Sequence, residues 1–106
     1  MARYIREGNV VYKTNNTEAT ILYGDVVKLG ARIGIAASNI SIGEVGSISV
    51  VGVYEIAAEK TEEFSIGDIV YLNESGNITK TKGDTIAGWI IEDKPSGTPV
   101  AIVKIG

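Results

Sequence analysis

Glycine sets the frame of this chain. Its 13 glycines fall at short intervals along 106 residues, and the runs between them are rich in Val, Ile and Tyr. Glycine accepts the tight-turn conformations that other residues resist, whereas β-branched and aromatic runs favour a pleated, half-buried surface. Turn and strand signals alternating at this density predict an all-β protein of many short strands. The chain length suits one domain, residues 1–106, with a single core. A small β-barrel or a compact β-sandwich is the expected architecture, and a closed or partly closed barrel would protect the sheet edges.

The clearest strand is Ser47 to Ile56, where Ile48, Val50, Gly52, Tyr54 and Ile56 share one face. Val51 and Val53 make the other face half apolar, so this strand is expected to be covered on both sides. Gly24-Asp25-Val26-Val27-Lys28-Leu29 reads as a turn feeding a strand. Further strands are expected at Ile69 to Leu72, Thr85 to Glu92 and Val100 to Ile105. Glu74-Ser75-Gly76-Asn77 reads as a hairpin turn carrying Ile78 to Thr81 back. Trp89, between Gly88 and Ile90 in a strand-like run, reads as a core residue. Only residues 57–64 have helical potential, and isolated helices of that length are marginal. Strand, short helix and acidic loop all remain open there, so the fold has at most one short helix.

An internal repeat adds to this picture. Gly24-Asp25-Val26-Val27-Lys28-Leu29 recurs as Gly67-Asp68-Ile69-Val70-Tyr71-Leu72. The spacing from Gly34 to Gly43 equals that from Gly88 to Gly97, and Gly43 to Ile48 equals Gly97 to Ile102. Residues 24–53 and 67–105 are therefore candidate copies, with 73–84 as an inserted hairpin, and the domain reads as two similar halves.

Candidate chemistry is sparse. The chain has no His and no Cys, which removes the commonest general base and the Ser–His and Cys–His nucleophile systems. Carboxylates alone would have to hold a metal or act on a substrate, yet the adjacent pairs Glu62-Glu63 and Glu92-Asp93 would point to opposite faces of a strand, and they read as solvated loop charge. Gly8-Asn9-Val10-Val11-Tyr12-Lys13-Thr14 has the outer features of a phosphate loop, but Tyr12 stands where its second glycine belongs. The sequons at Asn15, Asn39, Asn73 and Asn77 read as turn composition. No cofactor is expected. A net charge of −3 opposes unspecific nucleic-acid binding. No membrane partner is expected either, since no apolar run is long enough to span one and the start lacks a signal-peptide core. Charge is uneven: Arg3, Arg6 and Lys13 dominate residues 1–13, and Glu55, Glu59, Glu62 and Glu63 dominate residues 55–63. Residues 1–8 read as an extended arm.

The order of these pieces is itself informative. Met1-Ala2, Gly8, Gly24-Asp25-Val26-Val27, Ile33-Gly34-Ile35-Ala36 and Ile42-Gly43-Glu44-Val45-Gly46 are followed by Val51-Gly52-Val53-Tyr54-Glu55-Ile56 and Lys60. Gly67-Asp68-Ile69-Val70-Tyr71-Leu72, Gly76-Asn77-Ile78-Thr79 and Ala87-Gly88-Trp89 complete the set. Over nearly its whole length this resembles the small phage and prophage proteins once grouped as a domain of unknown function and now described as capsid cement or decoration proteins. Order and spacing carry the likeness, since each piece alone is a generic turn plus strand. One departure is Ala57-Ala58-Glu59-Lys60, where the family often has a proline before the lysine, which leaves the 57–66 connection open.

The resemblance implies a non-enzymatic structural protein that binds the outside of an assembled icosahedral head. The implied partners are the major capsid protein and further copies of itself, with a trimer favoured because decoration proteins tend to occupy threefold positions. The implied location is the virion, preceded by the bacterial host cytoplasm. Within that frame Ala2, Arg3, Tyr4, Ile5 and Arg6 are the candidate capsid or subunit contact, an arm able to add as a strand to a partner's sheet edge. The competing readings are a small β-barrel module for nucleic acid or carbohydrate, and a carboxylate-only hydrolase.

Overall fold

Strands form where the Val/Ile runs lie between glycine turns. The computed structural model describes residues 1–5 and 8–106. Among them are nine strands and no helix: β1 (Val10–Thr14), β2 (Val26–Leu29), β3 (Arg32–Ala36), β4 (Val45–Ser49), β5 (Gly52–Ala57), β6 (Ile69–Leu72), β7 (Ile78–Thr79), β8 (Ile86–Ile90) and β9 (Val100–Ile105). They make two antiparallel sheets, ordered β1-β4-β3-β2 and β5-β9-β8-β6-β7. Neither sheet closes on itself, so no barrel forms.

The sheets share one plan. Setting β1, β4, β3 and β2 against β5, β9, β8 and β6 gives the same strand order. The turn bonds agree as well. The Gly24 N–H donates to Ala36 O and the Ala36 N–H to Asp25 O, while Gly67 and Asp68 make the same pair of bonds with Ile90. The Asp25 carboxylate accepts from the Leu22 N–H at 2.9 Å, and Asp68 accepts from Ser65 at 2.8 Å. Asn39 Oδ1 accepts from the Tyr23 N–H, and Asp93 Oδ1 from the Ile66 N–H. Pairing sets Ile48 against Ala36 and Val103 against Ile90. The counterpart of Ile48 is therefore Val103 rather than Ile102, because one more residue separates Gly97 from β9 than separates Gly43 from the matching point of β4.

Gly34 and Gly88 occupy matching places in β3 and β8. A Cβ on Gly34 would lie 2.9 Å from Ser49 O, and one on Gly88, where φ is +155°, would press into Lys104 O. Only glycine lets these strands approach the neighbouring carbonyls so closely.

Two apolar clusters follow from the two sheets. Val27, Ala36, Ile40 and Ile48 fill one face of the first sheet, with Val11, Ile21 and Leu29 against them. The larger cluster is built mainly from Ile56, Phe64, Val70, Ile78, Ile90, Val103 and Ile105 of the second sheet and its loops, and Ile33 and Ile35 of β3 enter it. Burial of these Ile and Val side chains, worth roughly 1.5–3 kcal/mol each, is what holds the sheets.

Two expectations change, and the open 57–64 connection is settled. The run Ser47 to Ile56 is not one strand: it breaks at Val50 and Val51, and β4 and β5 belong to different sheets. Its Ile48–Ile56 face does point inward, but Val53 is 54% exposed, so the other face is uncovered. The open 57–64 segment is irregular rather than helical. The Ala58, Glu59 and Phe64 N–H groups donate to Pro99, Ile78 and Lys94 carbonyls, which outcompete a helix too short to stabilise itself. Trp89 is not in the core but 42% exposed, since Gly88 and Ile90 turn inward and a strand neighbour must then turn out.

Candidate functional site

The arm is exposed where it is described. Ala2, Arg3, Tyr4 and Ile5 lie in no strand, and Tyr4 and Ile5 are 77% and 74% exposed. Arg6 lies outside the described residues. Two apolar side chains and Arg3 are thus exposed ahead of β1.

The acidic 55–63 segment is partly engaged within its own molecule. Glu59 Oε1 accepts from Asn73 Nδ2 at 2.6 Å, and the Glu62 carboxylate accepts from the Thr79 hydroxyl at 2.6 Å and the Lys80 N–H at 2.8 Å. Of the four, Glu55 and Glu63 are exposed and Glu59 and Glu62 half-buried. The segment borders a cleft of about 610 Å³, also lined by Lys28, Leu72, Asn73, Glu74 and Asp84. Among the described residues no group of three or more carboxylates is gathered closely enough to hold a metal ion. The phosphate-loop look-alike at Gly8 to Thr14 is mostly strand β1, extended rather than cupped.

Two buried polar groups close loops rather than face solvent. Asn15, 1% exposed, donates through Nδ2 to Ala19 O at 2.9 Å and Ile40 O at 2.8 Å. Lys94, 4% exposed, donates through Nζ to Glu62 O and Pro95 O and sits over the Phe64 ring. Burial also accounts for the Asn15 sequon, whose Thr17 hydroxyl donates to Asn15 Oδ1.

An exposed apolar row crosses the second sheet, where Trp89 turns outward instead of into the core. Register pairs Val53 with Lys104, Lys104 with Trp89, and Trp89 with Ile69. Directly opposed residues share a face, so these four form a row across β5, β9, β8 and β6, roughly 14 Å wide at normal strand spacing. Val53, Trp89 and Ile69 are 54%, 42% and 59% exposed. One aromatic and one cation, with Glu55 on the same face, do not make the basic, aromatic-lined groove that single-stranded nucleic acid requires. A second apolar group stands on the first half: Leu22, Tyr23 and Ile42, at turns joined by the Ile21–Ile40 bridge.

Taken together, the described surface offers apolar contact areas and an exposed arm, and its carboxylates are dispersed or internally bonded. That suits association better than turnover. In comparisons with known proteins, a family model described as phage cement protein matches residues 5–105. No curated protein and no solved structure matches.

Proposed function

The chain belongs to the phage cement protein family, a structural class of phage protein, and on that premise we propose that it binds the outer surface of an assembled phage capsid and stabilises it without catalysis. The family match over residues 5–105 carries this reading. The dispersed carboxylates and the absence of His and Cys from the chain support it. The mechanism is mass action. A ligand that binds only the assembled lattice stabilises it by RT ln(1 + [L]/Kd) per site, about 2.7 kcal/mol at a hundredfold excess over Kd. The partner is the major capsid protein, the working location is the virion surface, reached from the host cytoplasm, and the protein acts as a homo-oligomer, a trimer by the family's habit.

Ala2 to Arg6 act as a contact arm in this reading. Exposed ion pairs of Arg3 or Arg6 contribute only about 0–1 kcal/mol each, so Tyr4 and Ile5 supply most of the arm's affinity. The two halves are copies of one unit, and the shared strand order and turn bonds support wider limits, 10–49 and 52–105, than the 24–53 and 67–105 of the sequence spacing.

The decisive experiment mixes purified protein with undecorated heads. Saturable co-sedimentation and a higher head-disruption temperature are expected; protein left in the supernatant at every concentration defeats the proposal. Deleting residues 2–6 should weaken head binding, and unchanged binding together with unchanged oligomer mass would leave the arm without a role.

A further inference from the structure

The inserted hairpin of the second half fills a place that stands open in the first. β7 runs antiparallel to β6, with Tyr71 paired to Thr79 and Leu72 to Ile78. On its other side a parallel bridge joins Ile78 to Ala58, just beyond β5, and the Glu59 N–H donates to Ile78 O. β7 therefore spans the gap between β6 and the run that follows β5, and Ile78 is fully buried in the larger cluster.

The first half has the same gap with no described strand in it. Lys28 stands where Tyr71 does in the repeated turn-and-strand sequence. Asn16 stands where Glu59 does, because the Asn15 and Ala58 N–H groups make matching bonds to Glu44 and Pro99. Among the described residues β2 has β3 as its only neighbour in the sheet. The bond from the Ala36 N–H to Asp25 O fixes the alternation there, so the backbone groups of Val26 and Lys28 point to the open edge. Between that edge and residues 13–17 lies a groove of about 290 Å³, lined by Ile21 and Val27 of the first cluster. A strand laid in it meets the β2 edge on one side and the Asn16 N–H on the other, and one apolar side chain enters as Ile78 does.

Charge selects the guest. In the second half the filled gap is rimmed by Glu59 and Glu62, and the strand in it leads into Lys80, whose N–H donates to Glu62 at 2.8 Å. In the first half Asn16 and Ala19 replace those acids, and Lys13 and Lys28, both exposed, line the groove. Its one lining carboxylate, Asp25, accepts from the Leu22 N–H. The rim is thus reversed in sign, and it suits an acidic strand.

Resting on the capsid partner of the proposed function, we infer that the groove between β2 and residues 13–17 receives an extended segment of the capsid protein. That segment carries one β-branched apolar residue pointing inward and an acidic residue beside Lys13 or Lys28. It adds antiparallel to β2, as β7 adds to β6; backbone bonds hold it and the inward side chain sets its register.

The test has two arms. The first uses no heads: the isotope-labelled full chain is titrated with a peptide spanning residues 75–81 in which Glu replaces Lys80. The amide signals of Asn16, Val26 and Lys28 should shift saturably, with a Kd on the order of 1 mM for so short a strand. Signals unmoved at roughly ten times that concentration overturn the inference. The second arm compares amide hydrogen exchange in the free and head-bound protein, where the same three amides should slow by roughly tenfold or more. Asn16→Pro, which removes the N–H, and Lys13→Glu/Lys28→Glu should each weaken co-sedimentation by roughly tenfold. All three side chains are exposed, and circular dichroism with a urea midpoint identifies any variant that fails to fold. Head-bound protein whose three amides exchange as fast as when free overturns the inference and leaves the capsid proposal standing. Protection of these amides without heads, lost on deleting residues 2–6, makes the arm of a second copy the occupant and also overturns it. Protein that never binds heads defeats the capsid proposal and the source named for the strand, and the peptide arm then decides whether the groove takes a strand.

Discussion

At position 15 the first half buries an asparagine, and at position 94 the second half buries a lysine. The two are alternative answers to one problem. The Asn15 N–H donates to Glu44 O as the Ala58 N–H does to Pro99 O, and the Ile21–Ile40 bridge matches the Phe64–Lys94 bridge. The carbonyls of Ala19 and Glu62 then occupy equivalent places. One is met by Asn15 from below and the other by Lys94 from across the bridge. The buried Asn15 side chain donates to Ala19 O and Ile40 O and accepts from the Thr17 N–H, and losing such a set of bonds costs about 1–3 kcal/mol. Asn15→Ala should lose that much in urea unfolding, and adding Ile40→Lys should recover part of it; a strictly additive double variant would break the correspondence. Glycine supplies a second residue-scale test. Gly88→Ala drives a methyl into the Lys104 carbonyl at a positive φ and should cost about 2–4 kcal/mol. Gly83→Ala, with nothing within 4 Å, should stay within about 0.5 kcal/mol of wild type.

Among the elements, strand positions were largely legible in the sequence. β9 at Val100–Ile105 and β6 at Ile69–Leu72 fall where the apolar runs place them, because such runs between turn glycines have few other ways to bury themselves. What the sequence did not reveal is which sheet a strand joins. Alternation runs unbroken from Ile48 to Ile56, yet the chain leaves one sheet at Val50 and enters the other at Gly52, and no local preference encodes that change of partner. The Trp89 row failed for a related reason: its members lie on four strands, and only register unites them. The β6–β7 hairpin is more than a tolerated insertion. Ile78 is fully buried in the larger cluster, and Glu62 and Glu59 bond to Thr79 and Asn73 of this segment. Ile78→Ala should therefore cost about 2–5 kcal/mol in thermal or urea unfolding, a loss that a dispensable surface hairpin would not show.

For the molecule as a whole, shape and strand order have consequences of their own. Its extents are 39 × 38 × 21 Å and its radius of gyration is 14.4 Å, against about 13 Å for a compact chain of this length. A plate of this form can lay much of its surface against a support, which suits the proposed binding to a capsid lattice. Head disruption by heat should accordingly shift upward with free protein concentration, following the logarithmic law above, and a shift that ignores concentration would exclude simple mass action. The interior position of β9 bears on how the plate is made. β1 to β4 are contiguous in the chain, so the first sheet can assemble as soon as they have left the ribosome. β5 must wait for β9, its only neighbour in the sheet and the strand farthest along the chain of the nine. At roughly 5–20 residues per second that wait lasts several seconds, during which Tyr54 and Ile56 have no sheet to cover. In that interval β5 is an unpaired strand, the part of the nascent chain most prone to pair with another copy.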